Sequence, residues 1–306
     1  MHSHAHDHFD HDHDQLALGS LGFSFFVAVS ANLGFTVLEA VYAVLTNSAS
    51  LLADAGHNLS DVLGLLLAWG AAYLATRATT HLYSYGFRRT TILAALINAL
   101  VLILAAGFIG IEALDKLINP TAMSEVTVMV VAAVGIVVNA GTALMFRKDS
   151  KNDLNVKGAY LHLAYDALIS IGVVISAALI LLTGWLWVDG LAGLLIVGVI
   201  IWGTWGLLRD SVNLMLDAVP RHIDRQEVME FLLSIDGVEQ VHDLHIWALS
   251  TNETSMTAHL VMPEKPLWDS ESGYRDVGAT LKQKFAINHV TLQVEKDSEC
   301  VTQDCN

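Results

Sequence analysis

Six long apolar runs constrain the fold of this chain more than any other feature of its sequence. Each has at least about 20 residues, the length that an α-helix needs to cross a bilayer. A closed β-barrel also spans membranes, but its strands are short and alternate between apolar and polar residues. These runs are apolar throughout, so we predict six transmembrane helices. They cover residues 21–45, 51–76, 90–114, 124–146, 158–183 and 186–208.

Composition excludes several other classes of protein. The 306 residues are 54% hydrophobic and only 15% charged, whereas soluble domains have about 25% charged residues. Neither a disordered chain nor an ordinary soluble enzyme fits these values. Two cysteines are too few for a disulfide scaffold. A net charge of −15 argues against nucleic acid as a partner, because phosphates must be neutralised by basic side chains.

Charge divides the chain into a membrane part and an acidic soluble part. The last 97 residues hold 17 acidic and 7 basic side chains and lack long apolar runs. We expect a disordered His-rich tail at 1–20, a transmembrane domain at 21–209, a soluble domain at 210–297 and a Cys-containing tail at 298–306. In the soluble domain the pattern predicts helix–strand–strand–helix–strand, with Asp224 as the first N-cap. This order is typical of a small α+β domain.

Basic residues in the short loops predict the orientation of the helices. The loops on one side hold all but one of the loop lysines and arginines, and Lys116 is the exception. The basic residues on the first side are Arg77, Arg88, Arg89, Arg147, Lys148, Lys151, Lys157 and Arg209. The positive-inside rule therefore places both termini in the cytoplasm.

Two His–Asp pairs lie within predicted spans. His57 and Asp61 are four residues apart in the second span, as are His162 and Asp166 in the fifth. Because residues four apart share a helix face, two such pairs supply two imidazoles and two carboxylates, a full tetrahedral ligand set for Zn²⁺. The alternative is that each pair only joins helices by hydrogen bonds. The repetition of the motif favours the metal site.

Other polar residues in the spans have open interpretations. Asp54 lies three residues before His57, and it is either a charge at a cavity mouth or an auxiliary relay group. Asn32, Glu39 and Asn139 are more typical of hydrogen bonds between helices than of metal ligands.

These motifs resemble the cation diffusion facilitator family. The resemblance rests on Asn32, on Ser50-Leu-Leu-Ala-Asp-Ala-Gly-His-Asn-Leu-Ser-Asp61, on Tyr85-Gly86, on Ala94-Ala-Leu-Ile-Asn98, on His162-Leu-Ala-Tyr-Asp-Ala-Leu168 and on Val188-Asp189. It implies a homodimer with six transmembrane helices and a cytoplasmic ferredoxin-like domain. It also implies efflux of divalent metal ions in exchange for protons. His with Asp in both pairs is similar to the zinc-preferring members.

The resemblance also implies a second metal site, in the cytoplasmic domain. His242, His259 and Glu295 match family positions that bind zinc, and His289, or the neighbouring Asn288, falls near a further ligand. The alternative for each histidine is a packed or surface residue. Strand alternation alone predicts that His242 shares a face with Leu244 and Ile246.

Both tails carry further metal-binding side chains. Six histidines lie within the first 14 residues and are interleaved with aspartates. We expect this tract to collect zinc without being required for transport; the alternative is a tag or a solubility tail. Cys300 and Cys305 lie among the last seven residues, either as unimportant thiols or as additional zinc ligands.

A secondary active transporter, not an enzyme, is therefore expected. Zn²⁺ would be both substrate and regulatory ligand, with protons as the exchanged ion and no organic cofactor. The same exchanger with a broader range of Cd²⁺, Co²⁺, Ni²⁺ and Fe²⁺ is the main alternative. A membrane-anchored sensor, a channel and an intramembrane metalloenzyme fit less well, and His-Glu-x-x-His is absent. The compact length and short loops favour a bacterial inner membrane.

Overall fold

The computed structural model describes residues 30–147, 154–263 and 271–296, which form helices and one three-stranded sheet. The helices are α1 Ser30–Thr46 in its described part, α2 Ala49–Ala75, α3 Thr90–Ile118, α4 Glu125–Phe146, α5 Leu154–Thr183, α6 Trp187–Met215, α7 Arg225–Leu233 and α8 Glu271–Phe285. The strands are β1 Gln240–Ala248, β2 Thr254–Val261 and β3 Ile287–Glu295.

The predicted spans agree with the long helices. Among the described helices, α2 to α6 are each long and apolar enough to cross a membrane. The described part of α1 is apolar but shorter, because residues 21–29 of the first predicted span lie outside the described residues. The chain is therefore a multi-pass membrane protein with a small C-terminal α/β domain, as the sequence predicts.

Two compact units divide the described residues. The first takes in the residues up to Leu63 and those from Val101 to Gly203, and the second takes in Gly64–Leu100 and the residues from Thr204 onward. The division runs through α2, α3 and α6. In the first unit, apolar side chains from six helices form the core, among them Phe35, Leu51, Leu102, Val128, Val173 and Ile196.

Large apolar side chains also point away from this core. Phe108, Val137 and Leu182 are 74%, 72% and 81% exposed. So much exposed apolar surface is unusual for a soluble protein. It is the surface expected of helices that face lipid chains.

A carboxylate from α6 fixes the start of α2. Asp189 is 2% exposed, and it accepts hydrogen bonds from the Ala49 amide at 2.6 Å and the Ser50 amide at 3.2 Å. The hydroxyls of Ser48 and Ser50 donate to it at 2.7 and 2.6 Å. The first amides of a helix have no partner within the helix, and a negative charge beside them is favourable. Asp189 therefore joins the two helices in a defined register.

Two glycines let α6 approach its neighbours closely. A Cβ atom on Gly190 would lie 2.6 Å from the Leu117 amide nitrogen and 2.7 Å from the Ala113 carbonyl oxygen. A Cβ atom on Gly193 would lie 3.2 Å from the backbone of Ala49. Small residues at such crossings are typical of membrane helices, because lipid provides no hydrophobic force between helices and close packing must replace it.

The C-terminal domain has the predicted order of elements. Its strands lie in the order β1-β2-β3, with β1 antiparallel and β3 parallel to β2. The chain returns from β2 to β3 through α8, as a parallel pair requires. Asp224 caps α7 as predicted, since its side chain accepts from the Gln226 amide at 2.8 Å. The last strand begins at Ile287, three residues earlier than the apolar pattern indicates.

Candidate metal centres

The first candidate centre lies between α2 and α5. His57 Nδ1 is 3.6 Å from Asp61 Oδ2, and His57 Nε2 is 3.4 Å from Asp166 Oδ1. One ligand atom from each of these residues lies within 4.8 Å of the others. Two ligands bound to one tetrahedral Zn²⁺ at 2.0–2.1 Å would be about 3.3 Å apart. The spacing in this membrane cluster (His57, Asp61 and Asp166) therefore suits a metal ion.

The helical period explains why these side chains meet. His57 and Asp61 are one helical turn apart in α2, so they project from one face. Their side chains are 18% and 23% exposed, and that of Asp166 is 5% exposed. His162 lies in α5, one turn before Asp166, but its side chain is outside the described part of the structure. Its role as a fourth ligand stays a prediction.

Further buried polar groups surround the membrane cluster. Glu39 of α1 and Asp54 of α2 are each 0% exposed. Asn58 Nδ2 donates to Glu39 Oε2 at 3.0 Å, and Ser170 Oγ donates to Asp54 Oδ2 at 2.8 Å. The interpretation of Asp54 as a cavity-mouth charge is wrong, because helix packing removes it entirely from the surface. The bond from Asn58 agrees with the interhelical role expected for Glu39.

The second candidate centre takes one residue from each strand of the sheet. His242 Nε2 is 3.0 Å from Glu295 Oε2, and His259 Nδ1 is 2.8 Å from Glu295 Oε1. The two imidazole rings have their centroids 5.1 Å apart. His242 and His259 meet because they are paired across β1 and β2, while β3 brings Glu295 beside Val261. These three residues form the C-terminal cluster.

The donor atoms of the C-terminal cluster fit a zinc ion. Two imidazoles and a carboxylate are ligands that zinc sites use. Nδ1 of His242 is buried and has no hydrogen-bond partner among the described residues. A buried polar nitrogen without a partner is costly unless an ion or water satisfies it.

A bulge in β1 gives the sheet its irregular register. His242 pairs with His259, and His245 pairs with Thr257. Two residues of β1 therefore lie opposite one residue of β2. Asp243, the first of them, has φ 52°, a left-handed conformation that aspartate adopts more readily than most residues.

The bulge corrects one prediction about the faces of β1. Val241, not His242, joins Leu244 and Ile246 in the core of the domain. The prediction from strict alternation, that His242 lies on the core face, is therefore wrong. The bulge inserts one residue into the strand and shifts the alternation of faces. His242 is thereby directed to the other side of the strand, where Glu295 lies.

The same bulge adds an acidic group that the sequence did not single out. Asp243 Oδ2 lies 3.6 Å from His259 Nε2, and Asp243 Oδ1 lies 2.8 Å from His245 Nε2. The hydrogen bond with His245 is the main reason why the pKa of Asp243 is below its usual value. The two-residue alternation of side chains in a strand does not predict that Asp243 lies near His259, because only the positive φ of Asp243 turns it toward that histidine.

His289 does not belong to the C-terminal cluster. In β3 it pairs with Ser255, whereas Glu295 pairs with Val261, and six residues of a strand span about 20 Å. The expectation that His289 completes this centre is therefore wrong within one protomer. Instead, Arg88 Nη1 lies 2.9 Å from His289 Nε2 and forms an ion pair with Glu253 at 2.6 Å.

Several other predicted ligands fall outside the described residues. They include the histidines of the first 14 residues, namely His2, His4, His6, His8, His11 and His13, together with Cys300 and Cys305. Their roles stay predictions.

Two consecutive segments of the chain match a known family. Residues 25–216 match the cation efflux transmembrane domain, and residues 220–297 match the cytoplasmic domain of cation efflux proteins. This chain belongs to the cation efflux family. The resemblance seen in the sequence motifs is thereby confirmed, as is the expectation of a metal cation transporter and not an enzyme. The match to the cytoplasmic domain, a dimerisation domain, implies that cation efflux proteins of this kind associate in pairs.

Three bacterial relatives illustrate the range of the cation efflux family. The chain is 34% identical over 268 residues to the "cadmium, cobalt and zinc/H(+)-K(+) antiporter" of Bacillus subtilis, covering 87% of this chain and 86% of that protein. It is 37% identical over 269 residues to the "metal cation efflux system protein CzcD" of Cupriavidus metallidurans, covering 88% and 85%. It is 32% identical over 281 residues to the "zinc transporter ZitB" of Escherichia coli, covering 91% and 88%.

Proposed function

We propose that this protein exports Zn²⁺ from the cytoplasm in exchange for protons. The observation that carries the proposal is the membrane cluster, in which α2 and α5 hold an imidazole and two carboxylates at metal-ligand spacing. Charged groups within membrane helices are costly and usually functional. The metal ligands that we assign are His57, Asp61 and Asp166, with His162 as the fourth.

Proton exchange follows from the chemistry of these ligands. Imidazole and carboxylate groups bind a metal ion only in their deprotonated forms, so metal binding expels protons. On the cytoplasmic side the metal ion competes with protons for these ligands and binds by displacing them. On the other side, a higher proton concentration favours release of the metal. Rocking of helices about a site near the midplane then gives alternating access.

The donor set favours zinc over hard cations. A tetrahedral site of two nitrogens and two oxygens suits Zn²⁺, while Mg²⁺ requires an octahedron of oxygens. A broader range is the second candidate. It is favoured by the names of the Bacillus subtilis and Cupriavidus metallidurans proteins, which extend to cadmium, cobalt and metal cations in general.

The C-terminal cluster is proposed to sense cytoplasmic zinc. The domain that carries it is strongly acidic, so two copies in a homodimer repel each other, and bound metal would offset this repulsion. The positive-inside rule supports cytoplasmic termini, and the bacterial relatives support insertion in an inner membrane. His242, His259 and Glu295 are the ligands that we assign to this regulatory Zn²⁺.

Zinc uptake into proteoliposomes with an imposed pH gradient tests the transport proposal. We expect gradient-driven zinc movement in the wild type and none in the Asp61→Ala, Asp166→Ala double variant. The control is Asp115→Asn, which neutralises an exposed carboxylate of α3 and should leave transport unchanged.

Two further arms sharpen this experiment. A K⁺ gradient without a pH gradient distinguishes proton exchange from potassium exchange. Competition by Cd²⁺ and Co²⁺ separates the zinc-selective exchanger from the broader one. Tight zinc binding without gradient-driven movement in the wild type would overturn the antiport mechanism and leave a sensor as the function.

A further inference from the structure

Glu39 and Asp54 form a buried carboxyl pair beside the membrane cluster. Each residue is 0% exposed, and the two carboxyl groups lie within hydrogen-bonding distance of each other. One comes from α1 and the other from α2, so helix packing creates the pair.

Only two of the four carboxyl oxygens in this pair accept a hydrogen bond from a described donor. Glu39 Oε2 accepts from Asn58 at 3.0 Å, and Asp54 Oδ2 accepts from Ser170 at 2.8 Å. The other two oxygens, Glu39 Oε1 and Asp54 Oδ1, are buried and have no donor among the described residues. Ionised carboxylates only accept hydrogen bonds. A hydrogen bond between the two groups therefore requires a proton on one of them.

The charges around the pair favour this proton. The negative charge of Asp166 on α5 acts on both members, and His57 on α2 acts on Asp54. Two carboxylates at this separation in a low-dielectric environment cannot both ionise without a large cost.

The pair is also connected to both helices of the membrane cluster. Asp54 is about one helical turn before His57, and Asn58 directly follows His57 in α2. Ser170, which donates to Asp54, is one turn after Asp166 in α5. A divalent cation held by His57 and Asp166 adds two positive charges close to the pair. Its field opposes a proton there, just as the empty and anionic cluster favours one.

From this geometry we infer that the Glu39–Asp54 pair is a proton-binding site that exchanges its shared proton when the metal binds. The inference rests on the proposed metal/proton antiport and adds a proton that is not carried by any metal ligand. Metal entry displaces the proton from the pair to the cytoplasmic side. Metal release is accompanied by uptake of one proton by the pair from the opposite side.

Counting the protons released on metal binding tests this inference. The full-length protein in detergent is titrated with Zn²⁺ near pH 7 in weak buffer with an indicator dye. The release from the Asp61→Ala, Asp166→Ala variant is subtracted to isolate the membrane cluster. For Glu39→Gln and for Asp54→Asn we expect about one proton fewer than in the wild type, because the amide supplies the missing hydrogen bond permanently.

A matched control is available in the same unit. Asp189 is a buried carboxylate that accepts hydrogen bonds from Ser48, Ala49 and Ser50, so it needs no proton. Asp189→Asn should release as many protons as the wild type. The absorption spectrum of bound Co²⁺ shows whether each variant retains its membrane cluster.

Transport provides a second readout. With one exchanged proton fewer, a pH difference of one unit should sustain a limiting zinc gradient about tenfold smaller in Glu39→Gln than in the wild type. An unchanged proton count in variants that still bind Co²⁺ would overturn the inference, because the proton would then be permanent or absent. A wild type that releases no protons would instead refute the antiport itself.

Infrared difference spectroscopy on the wild type covers the case in which the variants do not fold. Metal binding should remove a carbonyl band of a protonated carboxylic acid, since the shared proton leaves. If no such band changes when Zn²⁺ binds, the pair does not exchange its proton and the inference fails.

Discussion

The membrane cluster takes its described donor side chains from two helices, whereas the C-terminal cluster takes one from each of three strands. In the membrane cluster the nitrogen–oxygen distances are 3.4 and 3.6 Å, close to the edge of a zinc tetrahedron, about 3.3 Å. In the C-terminal cluster they are 2.8 and 3.0 Å, the distances of hydrogen bonds. The first cluster is already spaced for a metal ion, and the second must open slightly to admit one.

The two clusters also differ in charge. The membrane cluster has two carboxylates for one described imidazole, and two more acidic side chains lie beside it. The C-terminal cluster has two imidazoles for one carboxylate. An anionic site in a membrane attracts a cation and, when empty, a proton, which suits exchange. Two imidazoles and one carboxylate are a donor set that zinc sites use, which suits the sensing role proposed for this cluster.

The largest expected effect is the loss of one carboxylate from the membrane cluster. Asp166→Asn should weaken zinc binding at this site by more than about 100-fold, because the loss of residues that only support a ligand already costs 10–100-fold. Equilibrium binding of Co²⁺, followed by its absorption, measures the effect, with Asp115→Asn as control. Binding within threefold of the wild type would remove Asp166 from the ligand set.

Acidification should release metal from the C-terminal cluster. Each of the two histidine ligands must lose its proton to bind, so competition by two protons lowers zinc affinity by at most about 100-fold per pH unit. The pKa of Asp243 is lowered by its hydrogen bond with His245. Its ionised form is therefore stabilised above the usual pKa of aspartate, and this contribution is lost only as the pH falls through the lowered value. We expect Asp243→Asn to leave the midpoint of metal release unchanged.

Zinc titrations at pH 7.5, 6.5 and 5.5 measure this dependence. They use the Asp61→Ala, Asp166→Ala protein, in which the membrane cluster is disabled. A shift of the midpoint in Asp243→Asn would show that Asp243 takes part in the competition between metal and protons.

Glu295→Gln should weaken zinc binding at the C-terminal cluster by at least about tenfold, because it removes a proposed ligand and the loss of a merely supporting residue already costs 10–100-fold. The carboxylate is lost, but the amide retains a hydrogen-bond acceptor for the histidines. Transport driven by a pH gradient at saturating zinc should persist, since the membrane cluster is unaltered. The control is Glu239→Gln, at an exposed position just before β1. Complete loss of transport in Glu295→Gln would contradict the separation of transport from sensing.

His57→Asp should reduce the preference for Zn²⁺ over Mn²⁺ by about tenfold, because the replacement of a nitrogen by an oxygen favours harder cations. Competition between the two ions in proteoliposomes measures the ratio. The conservative comparison is His245→Asp, an exposed position outside both clusters. Unchanged discrimination in His57→Asp would contradict the selectivity argument.

Local sequence patterns predict the features that repeat with a fixed period along the chain. The apolar length of α2 to α6 predicts membrane spans, and the four-residue spacing of His57 and Asp61 places both on one helix face. The order of elements in the C-terminal domain and the N-cap at Asp224 are also local properties. These predictions succeed because helix geometry depends on neighbouring residues in the chain.

Contacts between side chains of different helices or strands depend on tertiary packing. Packing of α1 against α2 buries Asp54 and pairs it with Glu39, although the spacing of Asp54 left a cavity-mouth position open. The bulge at Asp243 turns His242 out of the core, and the register of β3 selects Glu295 over His289. Helix rotation and strand register are set by long-range packing, which a local sequence period does not contain.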